Sequence, residues 1–208
     1  MVNKLRRALE IAAFLHTQRI RGFDPPGDEP FMDQESIDRF RQELARASGY
    51  LEFGSGGSTV LADQSGVPGV SVESDRFYAR AVATRLTGKI EQICVPAGIT
   101  KEWGMPLFPS AIKGRRYTDA GFGRSEFPDF ILVDGRWRRA CALRSAHEAH
   151  KRGKQATLMI DDYLHRPGYR RVEVLLGEPE MVGRSAIFRI GSRSIPSAAI
   201  DEALDDPF

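Results

Sequence analysis

Tyr50-Leu-Glu-Phe-Gly-Ser-Gly-Gly-Ser-Thr59 decides how this chain is read. Tyr50–Phe53 predicts a buried strand, Gly54, Gly56 and Gly57 a turn, and Ser58 and Thr59 the capped start of a helix over Ser58–Gln64. Such a strand-glycine-helix junction brings bare backbone N–H groups and the positive end of a helix to one point. That combination favours an anionic or polar ligand. Two phosphate-binding patterns are excluded. The dinucleotide fingerprint beginning at Gly54 needs a glycine where Thr59 stands, and a P-loop needs a Gly-Lys-Ser/Thr sequence that is absent.

Downstream, short apolar runs alternate with amphipathic stretches. Strands are expected at Gly69–Glu73, Ile90–Val95, Asp129–Val133 and Ala156–Ile160, and a late one at Ala186–Ile190 paired with Met181–Val182. Helices are expected over Asp75–Leu86, Arg136–His150 and Tyr169–Leu176. Apolar strands alternating with helices predict an α/β fold: a doubly wound, mostly parallel, Rossmann-like sheet of about seven strands. The domain is expected over residues 48–193, with an aperiodic insert at 98–128 acting as a lid and a tail at 194–208. Residues 1–47 predict a helical preamble on the same domain. Its first helix repeats Leu5, Leu9, Ala12, Ala13, Leu15 and Ile20, and its second is capped by Asp33 or Ser36 with Ile37, Phe40, Leu44 and Ala47 inward.

The 208 residues carry 30 Lys and Arg against 28 Asp and Glu, a net charge of +2, which excludes a strong global field for polyanions. Arg outnumbers Lys 24 to 6. Cys94 and Cys141 sit in apolar runs outside any metal-type spacing, so buried free thiols in a reducing compartment are expected. Neither a membrane span nor a signal peptide is recognised, and a cytoplasmic location is the expectation.

Glu52-x-Gly54-x-Gly56-x-Ser58 resembles motif I of class I S-adenosylmethionine-dependent methyltransferases, with Ser58 where a last glycine often stands. Glu73, 19 residues after Gly54, ends the next strand, where a carboxylate can accept both hydroxyls of a ribose. The likeness extends through YLEFGSGGST (50–59), VSVESDRFYARAV (70–82), EWGMP (102–106), DFILVDGRWRRACAL (129–143) and LMIDDYLHRPGYRRVE (158–173), about residues 48–190. Together these segments resemble a bacterial family of methyltransferase-like proteins of unassigned substrate. The resemblance implies S-adenosylmethionine held by Glu52, Gly54, Ser55, Gly56, Gly57, Ser58, Glu73, Ser74 and Asp134. It places Glu52 near the methionine end and the glycines under the sulfonium.

Asp134 and the pair Asp161-Asp162 end the fourth and fifth strands. Three converging carboxylates repel unless a cation or proton joins them, so Mg²⁺ or another divalent cation on Asp134, Asp161 and Asp162 is one expectation. Similar strand ends in catechol-type O-methyltransferases hold a metal, with an amide where Asp162 stands. The competing expectation is a salt-bridge network with Arg136, Arg138 or Arg166. Asp162 or His165 is expected as the catalytic base. His147 and His150 read as solvated helix residues. In the insert, Trp103, Met105, Phe108, Tyr117 and Phe122 are expected to enclose an acceptor, with Lys113, Arg115, Arg116 and Arg124 favouring an anionic one.

Methyl transfer to an oxygen or nitrogen of a small-molecule acceptor is therefore the expected reaction. The alternatives are a non-catalytic methyltransferase-like binding protein and, less favoured, a nucleic acid methyltransferase. For the last, residues 111–154 carry eleven Lys or Arg against five acids. Against it, Asp24-Pro25-Pro26 is followed by Gly27 where amino-methylating enzymes place an aromatic residue. A homo-oligomer is left open.

Overall fold

The computed structural model describes residues 2–124 and 126–208. Met1 and Ser125, the latter within the expected insert, lie outside the described residues, as does the side chain of Leu5.

Seven strands form one sheet: β1 (Tyr50–Phe53), β2 (Gly69–Glu73), β3 (Ile90–Cys94), β4 (Phe130–Val133), β5 (Ala156–Ile160), β6 (Glu180–Val182) and β7 (Ser185–Ile190). Their spatial order is β3-β2-β1-β4-β5-β7-β6. β1, β2, β3, β4 and β5 pair in parallel, and β7 runs antiparallel to both β5 and β6. The expected α/β sheet is the observed one.

YLEF, FILV and ATLMI are buried along their whole length, which requires cover on both faces. The strand period of two divides them. Leu51, Phe53, Ile131, Val133, Leu158 and Ile160 face a core shared with α5 (Ala111–Ala120), α6 (Arg138–Lys151) and α8 (Ser197–Ala203). Tyr50, Phe130, Leu132 and Met159 face Phe40 and Leu44 of α2 (Gln34–Arg46) and Ala62 of α3 (Gly57–Ser65). Burying a side chain of this size contributes about 1.5–3 kcal/mol, so the two faces supply most of what orders the chain.

From β1 the chain steps outward through α3 to β2 and through α4 (Arg76–Ala83) to β3. It then returns across β1 to begin β4, so the winding reverses between β1 and β4. Beyond the carboxyl ends of two such strands a doubly wound sheet leaves a crevice for ligands.

Several elements differ from expectation. The insert is structured: a small hairpin pairs Thr100–Lys101 with Met105–Pro106, and α5 follows, N-capped by Ser110. The inner face of α5 is Gly114, Tyr117 and Thr118, too small and polar to read as amphipathic. Gly114 sits against Trp137 and Leu204, where a Cβ would come 2.7 Å from the indole nitrogen. α6 begins at Arg138 because Trp137 adopts φ 51°. Tyr169–Leu176 splits into a 3-10 helix over Pro167–Val172 and a short α7 (Glu173–Leu176). Cys141 is buried as expected, whereas Cys94 is exposed.

In the N-terminal region α1 (Val2–His16) continues into a π-helical turn over Thr17–Arg21. Its expected inner residues Leu9 and Ile20 are exposed, and Gln18 is buried instead. Asp33 caps α2 by accepting from Ser36 N at 3.1 Å, and also accepts from Arg184 N at 3.0 Å, tying the preamble to the β6–β7 turn. No helix among the described residues is long and apolar enough to cross a membrane.

Candidate functional site

A cavity of about 1030 Å³ opens where the winding reverses. Gly54–Ser58 line one wall, Glu73–Asp75 the next, and Asp134–Arg136 with Asp161 and Asp162 another. Of the residues expected to hold the cofactor or a metal or to act as base, all but Glu52 and His165 therefore come together here.

The glycine turn is built by backbone packing. Gly54, at φ +100°, lies so close to Gly135 that a side chain has no room. At Gly57 the crowding comes from the preamble, since a Cβ would overlap the carbonyl oxygen of Glu29. Gly56 is different: an added Cβ would meet only the Tyr78 hydroxyl, 3.8 Å away, and Gly56 itself is part of the cavity wall. Bare backbone faces the cavity there.

Glu52 is not on that wall. Period-two alternation puts it on the same face as Tyr50, beneath α3, where it is fully buried. Its carboxylate accepts hydrogen bonds from Ser58 Oγ, from Thr59 Oγ1 at 2.5 Å and from Ser71 Oγ at 2.8 Å. Burial pushes its carboxyl up to about 7 despite those three donors. Glu52 thus shapes the turn from behind, which corrects its expected place near the methionine end.

Glu73 does reach the cavity, at the carboxyl end of β2. Oε2 accepts from Ser55 N at 3.0 Å; Oε1 accepts from Ser74 N at 2.6 Å, Asp75 N at 2.7 Å and Ser74 Oγ at 3.2 Å. Burial raises its carboxyl while the backbone donors pull it down. Gly104, in the short turn Glu102–Gly104, lies against this group: a Cβ there would be 3.1 Å from Ser74 Oγ and 3.8 Å from Glu73 Oε1.

Asp134, Asp161 and Asp162 hold carboxylate oxygens within 4.8 Å of one another. Each already faces a guanidinium. Arg138 pairs with Asp134 at 2.8 Å and Asp162 at 3.5 Å, Arg184 with Asp161 at 2.7 Å and Asp162 at 3.3 Å, and Arg166 with Asp162 at 3.6 Å. Arg138 also donates to the carbonyls of Asp134, Gly135 and Asp161. Three cations balance three anions, and a divalent ion would have to sit beside Arg138 and Arg184. This donor set does not fit a divalent cation, and the salt-bridge expectation describes it better. Arg184, at the start of β7, belongs to the network although nothing nearby in sequence announces it. Burial, with Asp161 and Asp162 close by, pushes the Asp134 carboxyl up to about 7 against the pull of Arg138.

His165 is exposed and off the cavity wall, so the structure does not place it with the candidate catalytic groups. His147 Nδ1 lies 2.8 Å from the Ile195 carbonyl and His150 Nδ1 3.2 Å from that of Gly191; both pin the segment after β7 instead of facing only solvent. Of the insert residues expected to enclose an acceptor, Trp103 and Met105 line the cavity, Tyr117 and Phe122 are core, and Phe108 is exposed. Arg115 and Arg124 pair with Asp201 and Glu91, and Lys113 Nζ donates to the Phe108 carbonyl at 2.7 Å. The basic residue that the insert gives the cavity is Lys101.

The preamble roofs the cavity, although no motif in its sequence announces this. Phe14, Phe23, Pro26, Glu29 and Phe31 of the preamble line the cavity. Phe14 packs on Phe23 at 5.8 Å, Phe23 edge-on to Tyr78 at 5.5 Å, and Phe31 against Trp103 at 5.9 Å. Gln18 Nε2 donates to Asp75 and, at 2.6 Å, to Thr100 Oγ1, fastening the roof to both the β2–α4 turn and the hairpin.

No protein-family model matches the chain, nor does any curated protein. Among solved structures, a methyltransferase-like protein from Silicibacter pomeroyi is 34% identical, with a TM-score of 0.70, over 88% of this chain and 99% of that one. A hypothetical protein from Thermus thermophilus is 17% identical with a TM-score of 0.42, over 84% of this chain and 95% of that one, a likeness too weak to carry an argument. With the sheet order, the switch-point cavity and a relative matched along almost its whole length, the chain belongs to the family of methyltransferase-like proteins.

Proposed function

We propose that this protein binds S-adenosylmethionine in the switch-point cavity and transfers its methyl group to an oxygen or nitrogen of a small acceptor. The observation that carries the reading is the cavity wall itself, where bare backbone at Gly56 stands next to the buried carboxylate of Glu73. The residues suit the cofactor: a polar cradle without side chains, a carboxylate for hydroxyls, and the aromatic rings of Phe14, Phe23 and Tyr78 overhead.

When bound, the cofactor supplies an electrophilic methyl group on a sulfonium sulfur. Gly54–Ser58 and Glu73 hold and orient it; Glu73 Oε2 has one protein donor and a free lone pair for a ligand hydroxyl. Asp134 takes the proton that the acceptor's hydroxyl or amine releases, since its raised carboxyl is poised near neutral pH. That role passes to Asp134 from Asp162, which is shared among three arginines. The preamble roof and Trp103 exclude water from the reacting groups.

A non-catalytic binding protein is the second reading, favoured by the four hydrogen bonds already made to Glu73 and by Gly104 resting on it. Calorimetric titration with S-adenosylhomocysteine separates the two, using wild type and Gly56→Val. The backbone at Gly56 is extended, so valine folds there, yet its methyls enter the cavity. Micromolar binding by wild type, weakened about a hundredfold or more in Gly56→Val, supports the enzyme. No binding by folded wild type leaves the second reading.

A further inference from the structure

We propose that Arg136 is the docking point for an anionic group, a carboxylate or a phosphate, carried by the acceptor. The inference rests on the methyltransferase reading of the same cavity and narrows its substrate class.

Arg136 lines the cavity yet is only 7% exposed. Its Nε has no hydrogen-bond partner, and among the described residues no carboxylate pairs with it. The other three arginines on that wall, Arg138, Arg166 and Arg184, are matched by Asp134, Asp161 and Asp162. Four guanidiniums against three carboxylates leave a surplus of one positive charge, and Arg136 is the unmatched one. An unpaired buried cation is costly to a fold unless a ligand supplies the counter-charge.

The backbone adds to the same field. Arg136 stands two residues before α6, a 14-residue helix with no acid in its first turn and no side-chain cap from Trp137. The positive end of that helix therefore lies beside Arg136 and Arg138; Asp134 and Asp162 offset Arg138, and among the described residues no carboxylate pairs with Arg136. Burial and the neighbouring Arg138 both pull the Arg136 pKa down, the direction expected of a cation lacking its counter-ion. A planar guanidinium favours a two-oxygen partner, which a carboxylate or phosphate offers. The cofactor's own carboxylate is the other possible source of that chemistry, but it has the positive end of α3 at the glycine turn.

The test compares wild type, Arg136→Gln and Arg136→Lys by thermal unfolding, with inorganic phosphate or benzoate against chloride at matched ionic strength, with and without saturating S-adenosylhomocysteine. Wild type should melt roughly 3 °C higher in the anion, Arg136→Lys should keep part of the rise, and Arg136→Gln none. In chloride, Arg136→Gln should be at least as stable as wild type, an outcome that a structural role for Arg136 does not produce. A destabilised Arg136→Gln together with no anion effect in wild type overturns the proposal. So does weaker binding of S-adenosylhomocysteine by Arg136→Gln with unchanged binding of 5′-methylthioadenosine, because the cofactor's carboxylate would then be the occupant. If wild type binds no S-adenosylhomocysteine but keeps an anion effect that Arg136→Gln loses, the anion subsite stands and the methyltransferase reading falls.

Discussion

Gly54 and Gly135 meet backbone to backbone where β1 and β4 end: a Cβ on Gly54 would lie 2.5 Å from both the nitrogen and the Cα of Gly135. Any side chain at position 54 would also have to adopt φ +100°, so alanine there is strained twice over. Gly54→Ala should destabilise the fold by roughly 2–4 kcal/mol, measured by urea unfolding. A loss under about 0.5 kcal/mol would mean the two strand ends are not pressed together.

Glu52 makes stability depend on pH. Its folded carboxyl, near 7, lies above the ordinary value of 4.5, so between those values the folded state holds a proton that the unfolded state has released. Stability should fall as pH rises from about 4.5 to about 7 and level off above. Glu52→Gln keeps an acceptor for the hydroxyls and cannot ionise. It should remove up to roughly 3 kcal/mol of that fall, read from denaturation midpoints across the range. An unchanged pH profile in Glu52→Gln would show that the carboxyl titrates normally.

Asp134 sets the expected pH dependence of turnover. A proton acceptor must be ionised, so the rate should climb as pH rises through about 7. Asp134→Asn should lower turnover about a hundredfold or more while leaving S-adenosylhomocysteine affinity within roughly threefold. His165→Ala, at an exposed position, should change neither. A pH–rate curve unaltered by Asp134→Asn would transfer the role elsewhere.

The arginine-paired carboxylates predict indifference to metal. Chelation with EDTA, or addition of Mg²⁺ afterwards, should leave turnover and melting temperature where they were. Asp161→Asn, by contrast, leaves Arg184 without its fully buried partner and should cost roughly 2–3 kcal/mol of stability, discounted because Arg184 keeps some exposure. Loss of activity on chelation, restored by Mg²⁺, would reverse this assignment.

The sheet was legible because its strands announce themselves. Tyr50–Phe53, Gly69–Glu73 and Ala156–Ile160 are bounded in structure where their apolar runs are bounded in sequence. The position of Glu52 was legible too, in its shared parity with Tyr50, although the motif around it suggested otherwise. What stayed hidden lacks period. α5 buries a glycine and a threonine beside Tyr117, and α1 turns Ile11 and Phe14 inward, and the π-helical turn after it Gln18, while more conspicuous apolar residues face out. Arg184 was hidden for another reason: its partners lie more than twenty residues away, and only the antiparallel insertion of β7 beside β5 brings them together.

The contact between Gly57 and the carbonyl of Glu29 links two stretches that otherwise belong to different parts of the chain. Main chain rests on main chain there, so no rotamer can absorb a change on either side. A longer loop between Asp24 and Pro30, or any side chain at position 57, displaces its counterpart directly. The two stretches must therefore be inherited as a pair, and a hybrid joining the first thirty residues of one relative to the sheet of another will hold ligand only where both sides of this contact descend from the same parent.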